Sequence, residues 1–159
     1  MFQCICRNNQ IYNIEFSYRL DGIRSWERIK KLKGINQLEF MVELALGNSV
    51  SNISFAFSES QKICVGYVIW ALPGKITKID GKAELYSRDD LLVLTDRFNE
   101  GDTVLNEPDM RSIAFIIEVF GMTYKDIRDK IAEINKHLHF YDGNMHEMLL
   151  HREPDYENW

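Results

Sequence analysis

The chain has 159 residues, with 19 Lys and Arg against 24 Asp and Glu, a formal net charge of −5. A hydrophobic fraction of 45% and a charged fraction of 27% suit a globular chain with a real core. They exclude a collagen, a disulfide scaffold and a low-complexity polymer, and the acidic balance argues against nucleic-acid binding, which needs a basic footprint.

In chain order, Phe2 to Arg7 reads as a strand. Asn8-Asn9 is a turn signal, because Asn tolerates left-handed backbone angles, and residues 10–17 read as a second strand, so the pair is expected to form a hairpin. Asp21-Gly22 breaks that pattern. Ser25 is placed to cap a short helix through Lys33 that stops at Gly34. Asn36 is placed to cap the next, over residues 36–46, where Leu38, Met41, Val42, Ala45 and Leu46 recur at helical spacing before Gly47. From Asn52 the pattern turns β-rich. Strands are expected at 54–57, 62–72, 75–80 and 91–94, separated by Glu59-Ser60 and Pro73-Gly74. Asn99-Glu100-Gly101-Asp102 is a polar turn, and residues 111–120 form an apolar strand ending at Gly121. Thr123 with Asp126 resembles a capping box opening a helix with Ile127, Ile131 and Ile134 on one face. A hairpin of residues 138–141 and 148–150, turned by Asp142-Gly143-Asn144, closes the chain before a polar tail. The class is α+β, mainly antiparallel sheets with packed helices. The change of pattern near 48–52 divides the chain into expected domains of residues 1–51 and 52–159.

No run approaches the roughly 18 apolar residues of a membrane span, and the opening heptapeptide lacks a basic region followed by a long apolar one, so neither a membrane nor a secretory destination is expected. Cys4, Cys6 and Cys64 make an odd number without framework spacing. They read as free thiols in a reducing cytoplasm.

The run Ile14-Glu15-Phe16-Ser17-Tyr18-Arg19-Leu20-Asp21-Gly22 carries the chemistry. Period two places Glu15, Ser17 and Arg19 on one face of the second strand and Ile14, Phe16 and Tyr18 on the other, the apolar side expected to pack in a core. A carboxylate, a hydroxyl and a guanidinium so aligned can hold Mg²⁺ and phosphate together, since Mg²⁺ takes hard oxygen ligands and Arg forks onto phosphate oxygens. The plain alternative is a solvent-facing strand with a Glu–Arg pair.

This run resembles the last metal-binding strand of ATP-grasp enzymes, of the carboxylate–amine ligase, carbamoyl-phosphate synthetase and biotin carboxylase type, whose motif reads roughly Glu-x-Asn-x-Arg. The resemblance implies that Glu15 binds metal and that Arg19 contacts ATP phosphate and steadies the phosphate in transfer. Gln3, 12 positions before Glu15, stands where the family's preceding strand carries another metal ligand. Ser17 replaces the family's asparagine, and its hydroxyl is a weaker ligand. Gly34-Ile35-Asn36 with the following helix looks like the segment after that strand. Gly74-Lys75-Ile76-Thr77-Lys78-Ile79-Asp80-Gly81, Asn99 to Val104 and Gly121-Met122-Thr123 look like the family's small C-terminal α+β appendage. The family's adenine pocket, phosphate-binding lysines and glycine-rich loop lie upstream of this strand. The resemblance therefore implies a C-terminal portion of a Mg-ATP-dependent ligase (Mg²⁺ or Mn²⁺) that activates a carboxylate as an acyl phosphate for attack by an amine. Such a portion needs an N-terminal ATP-grasp half and is expected to be inactive alone. The competing expectation is a non-catalytic module that forms a homodimer or binds a partner.

Other constellations carry less. His137 and His139 on one strand face could bind Zn²⁺ with His146 across the closing hairpin, although a polar edge face explains them as well. Cys4 and Cys6 are a metal or redox pair or, more simply, small buried side chains. Trp26, Tyr67 and Trp70 read as core or interface. Arg28, Lys30, Lys31 and Lys33 read as a solvated helix face, with phosphate gathering beside Arg19 as the alternative.

Overall fold

Asn8, at φ 52°, turns β1 (Phe2–Arg7) into β2 (Gln10–Phe16), as the Asn pair predicts. The computed structural model describes residues 2–8, 10–16, 20, 22–49, 61–107 and 109–152, with the backbone alone at 2–4, 15 and 16. Contacts divide the chain into two compact units, Met1–Ser60 and Gln61–Trp159. The expected strand at 54–57 and the expected seam at 51/52 fall at or beside residues 50–60, outside the described residues.

In the first unit the β1–β2 hairpin is followed by α1 (Ser25–Lys33) and α2 (Gln37–Ala45). Gly34 ends α1 in the left-handed region at φ 73° and donates its N–H to the Lys30 carbonyl at 2.8 Å, as a glycine C-cap should. The N-cap of α1 is Arg24 at φ 60°, without a side-chain cap bond of its own; Ser25 lies one residue inside the helix, not at the cap position expected for it. Asn36 caps α2 as expected, accepting from the Glu39 N–H at 3.3 Å. The apolar face of α2 is present but uncovered: Leu38, Met41, Val42 and Leu46 are exposed. The hairpin's Ile5, Ile11, Tyr12 and Ile14 are exposed too; of the apolar side expected to pack in a core, Ile14 does not, and the side chains of Phe16 and Tyr18 lie outside the described ones. No described residue of this unit is buried.

The second unit has a buried core. Its four-stranded antiparallel sheet runs in the order β10 (Leu149–Leu150), β3 (Ile63–Ala71), β8 (Ile113–Gly121), β6 (Leu91–Asp96). The central strand β8 is buried at every position, which explains its unbroken apolar run. Tyr67, Ile69, Phe115, Ile117 and Val119 pack with Ile127, Ile131 and Ile134 of α4 (Tyr124–His137), the stripe that the 3–4 residue spacing predicts. Phe115 meets Phe140 edge-on at 5.6 Å between ring centres. A second, smaller cluster of Leu94, Ile113 and Ile116 takes half-buried Val68, Trp70 and Leu92.

The expected strand at 75–80 is two pieces, β4 (Gly74–Lys75) and β5 (Lys78–Asp80), interrupted where Ile76 turns fully into the core. A short helix α3 (Lys82–Tyr86) and strand β7 (Thr103–Val104), which pairs with β4, have no clear sequence signal. The expected closing hairpin is also corrected. β9 (His139–Tyr141) pairs with β5, and β10 pairs with β3, leaving a single bridge, Tyr141 to Glu147, between the two arms. The loop between them keeps its predicted turn: Asp142 Oδ1 accepts from the Asn144 and His146 N–H groups at 2.8 and 2.9 Å. The antiparallel α+β class is borne out.

Candidate functional site

The hairpin's register begins with Arg7 opposite Gln10 and runs without slip to Cys4 opposite Asn13. Continued unbroken, it would set Gln3 against Ile14. Instead the register shifts between Gln3 and Cys4, Ile14 is the extra residue of a bulge, and Gln3 lies directly opposite Glu15. A one-residue slip sends every later side chain of a strand to the opposite face, and bulges recur beside active sites because they re-aim a side chain. Of the four candidate site residues, the backbone therefore joins Gln3 and Glu15 as a cross-strand pair. The bulge that does so had no signal in the period-two pattern. Ser17 and Arg19 lie outside the described residues. The amide, carboxylate and hydroxyl oxygens of Gln3, Glu15 and Ser17 are a hard-oxygen donor set of the kind Mg²⁺ takes.

In the second unit the charged groups brace the fold. Arg88 grips Asp90 through two nitrogens at 2.9 and 3.0 Å and reaches Glu133 of α4 at 2.7 Å. Lys130 of α4 lies 3.4 Å from Asp90 and 3.0 Å from Asp126, and donates to the Phe120 carbonyl at 2.8 Å. The Arg88 guanidinium, and Lys130 after it, hold the Asp90 carboxyl below its usual range against the opposing effect of burial. Among the described residues Glu118 is the one buried charged side chain, and it accepts from the Cys64 thiol at 2.9 Å.

The expected His137–His139–His146 zinc arrangement does not form. His137 completes the last turn of α4, so it does not share a strand face with His139. His146 pairs with Asp142 at 3.2 Å. The group that does meet His139 is Glu147 with His151, two residues that strand-face spacing could not connect. Cys6 is exposed, so the reading of Cys6 as a small buried side chain fails. Tyr67 is buried as expected. Lys30 and Lys31 of the α1 basic cluster are exposed, while Arg28 and Lys33 are half-buried. Among the described residues no helix is long and apolar enough to cross a membrane.

No protein-family model and no curated protein matches the sequence. Solved structures do match. The crystal structure of phosphoribosylglycinamide synthetase from Anaerococcus prevotii superposes with a TM-score of 0.71 over 89% of this chain, at 18% identity. That of L-amino acid ligase from Bacillus licheniformis superposes with a TM-score of 0.66 over 87% of the chain, at 23% identity. The chain spans about a third of the length of these structures, 36% and 34%. Both are ATP-grasp enzymes, so the likeness bears out the ATP-grasp resemblance at the level of fold.

Proposed function

We propose, from a chain with the fold of part of an ATP-grasp enzyme, that it is the C-terminal portion of an ATP-dependent carboxylate–amine ligase. The observation that carries this reading is the bulge that sets Gln3 opposite Glu15, at the two positions where the resemblance places metal ligands. In this reading Gln3, Glu15 and Ser17 bind Mg²⁺, and Arg19 steadies the phosphate in transfer. The carboxylate oxygen attacks the γ-phosphorus of ATP and ADP leaves. The amine then attacks the acyl phosphate and displaces phosphate. Bound Mg²⁺ neutralises phosphate charge. The protein's share is positioning and charge stabilisation rather than covalent chemistry.

The exposed apolar residues of the hairpin and α2 support the reading from another side. Large apolar side chains left exposed mark an interaction face, and an upstream ATP-binding half in the same cytoplasmic enzyme is the partner we assign to it. The boundary of that catalytic domain is placed at 51/52. Mg-ATP titrated calorimetrically into the 159-residue chain is expected to give no tight binding, and a micromolar dissociation constant would overturn the reading. In the longest natural form, Glu15→Ala and Arg19→Ala are each expected to abolish ATP turnover.

A second reading, a dimerisation or partner-binding module in residues 52–159, draws on half-buried Val68, Trp70 and Leu92 over the smaller cluster. Unchanged turnover in the two variants favours it. A monomeric solution mass removes its homodimer form.

A further inference from the structure

We propose that His139, Glu147 and His151 form a binding site for a divalent transition-metal ion of the zinc class. One ligand atom from each lies within 4.8 Å of the other two. All three side chains are half-buried, in one unit of the fold. The inference is independent of the ligase reading and concerns a different part of the chain.

The hydrogen bonds assign the protons. The far nitrogen of His139, Nε2, lies 3.0 Å from the Lys136 carbonyl oxygen. A carbonyl only accepts, so Nε2 carries the hydrogen and Nδ1 of the neutral ring presents a lone pair. That lone pair points at Oε2 of Glu147, in close contact. The other carboxylate oxygen, Oε1, is held by the Leu149 N–H at 2.8 Å and the Phe140 N–H at 3.3 Å, so the carboxylate is fixed in place. For His151 the logic is the same. Its Nδ1 lies 3.1 Å from Asn135 Oδ1, which also accepts from the Tyr67 hydroxyl at 2.6 Å. Nδ1 therefore donates, and Nε2 presents its lone pair. That Nε2 is buried and makes no hydrogen bond of good geometry.

Two ligand atoms in close contact and a third buried nearby offer a cation three donors at one place. A proton shared by His139 and Glu147 would satisfy those two atoms and do nothing for His151 Nε2. A divalent cation serves all three. Two imidazole nitrogens and one carboxylate oxygen are a donor set that zinc accepts, with the fourth position left to water. In both histidines the nitrogen away from the ion is tied to an oxygen, the arrangement that fixes ring orientation in metal sites. A tetrahedral ion with bonds of about 2.0–2.1 Å needs its ligand atoms about 3.3 Å apart. Reaching that spacing takes a closure of about 1.5 Å at most on the longer sides of a group within 4.8 Å and an opening of the close His139–Glu147 pair, both within the reach of side-chain rotation. The ion would bind the segment after β10, through His151, to the start of β9.

Zn²⁺ titrated calorimetrically into the metal-free 159-residue chain is expected to bind at one ion per chain with a micromolar or tighter dissociation constant. Co²⁺ in its place is expected to show the visible absorption of a four-coordinate site. His151→Gln and His139→Ala should each weaken binding by more than about 100-fold, and Asn135→Leu, which frees the His151 ring, by about 10-fold. His137→Ala and His146→Ala should change nothing. His151→Gln lies near the end of the described chain, and matching circular dichroism of the metal-free variant and parent establishes that it folds. If His139→Ala does not fold, Glu147→Gln takes its place. No binding, or binding that survives loss of His139 and His151 together, overturns the proposal.

Discussion

A methyl group on Gly81 would lie 2.1 Å from the His137 carbonyl oxygen and 2.6 Å from its carbon, in a backbone with φ +77°. Both faults fall on backbone atoms, which cannot swing aside. Gly81 thus lets the start of α3 sit against the end of α4. Gly81→Ala is expected to destabilise the chain by more than about 2 kcal/mol, from left-handed strain plus displaced packing, and chemical denaturation reads it. Gly121 is tight for another reason: a Cβ there would come within 2.7 Å of Ile127 and 2.8 Å of the Asp126 carboxylate. Those are side chains, so the cost should be smaller. Gly121 is visible in the sequence as the end of a strand. The carbonyl against Gly81 is 56 residues away, so no local pattern could supply the reason.

At the scale of elements, α4 shows how local signals and tertiary contacts divide the work. Thr123 accepts from the Asp126 N–H at 3.1 Å, and Asp126 accepts from the Met122 N–H at 3.0 Å. The reciprocal cap thus reaches one residue further out than the capping box the sequence suggests. Its isoleucine stripe is legible by spacing, and its fixation to β6 through Arg88, Asp90 and Lys130 is not. Because Asp90 is held below its ordinary carboxyl value, its contribution is present above about pH 4, where the unfolded carboxyl ionises, and is lost as pH falls through the lower folded value. Asp90→Asn is expected to cost about 1 kcal/mol at neutral pH. It should flatten the loss of stability below pH 4, which melting temperatures across an acid series check. A parent and variant that lose stability in parallel would deny the linkage.

For the whole molecule, the contrast between the two units is the main fact. Residues 61–159 hold every buried side chain described, whereas the described residues of 1–60 bury none. A two-stranded hairpin is marginal without a neighbour, and an amphipathic helix draws most of its stability from burying its stripe. The segment 61–159 expressed alone is therefore expected to unfold cooperatively, with a melting temperature within a few degrees of the full chain. A segment of residues 1–60 is expected to show no cooperative transition. Far-ultraviolet circular dichroism on both pieces decides it.

The local grammar of this protein is written in its amino-acid order. Asn8, Gly34, Asn36, Gly101 and Thr123 punctuate the chain through backbone angles and caps. Strand-forming runs placed β1 to β3 and β8, period 3.6 placed α2 and α4, and the metal-strand motif pointed to the ATP-grasp fold. These are readable because each depends on residues within a turn or two. The tertiary structure decided what depends on partners far along the chain. It set β9 and β10 against separate strands rather than each other and split 75–80 to bury Ile76. It left the α2 stripe bare, and through one bulged residue it brought Glu15 opposite Gln3. It also gathered His139, Glu147 and His151, which come from three successive segments whose spacing follows neither strand nor helix period. Register, sheet order and such convergence are set by the balance of burial across the whole unit, and a local pattern carries no term for them.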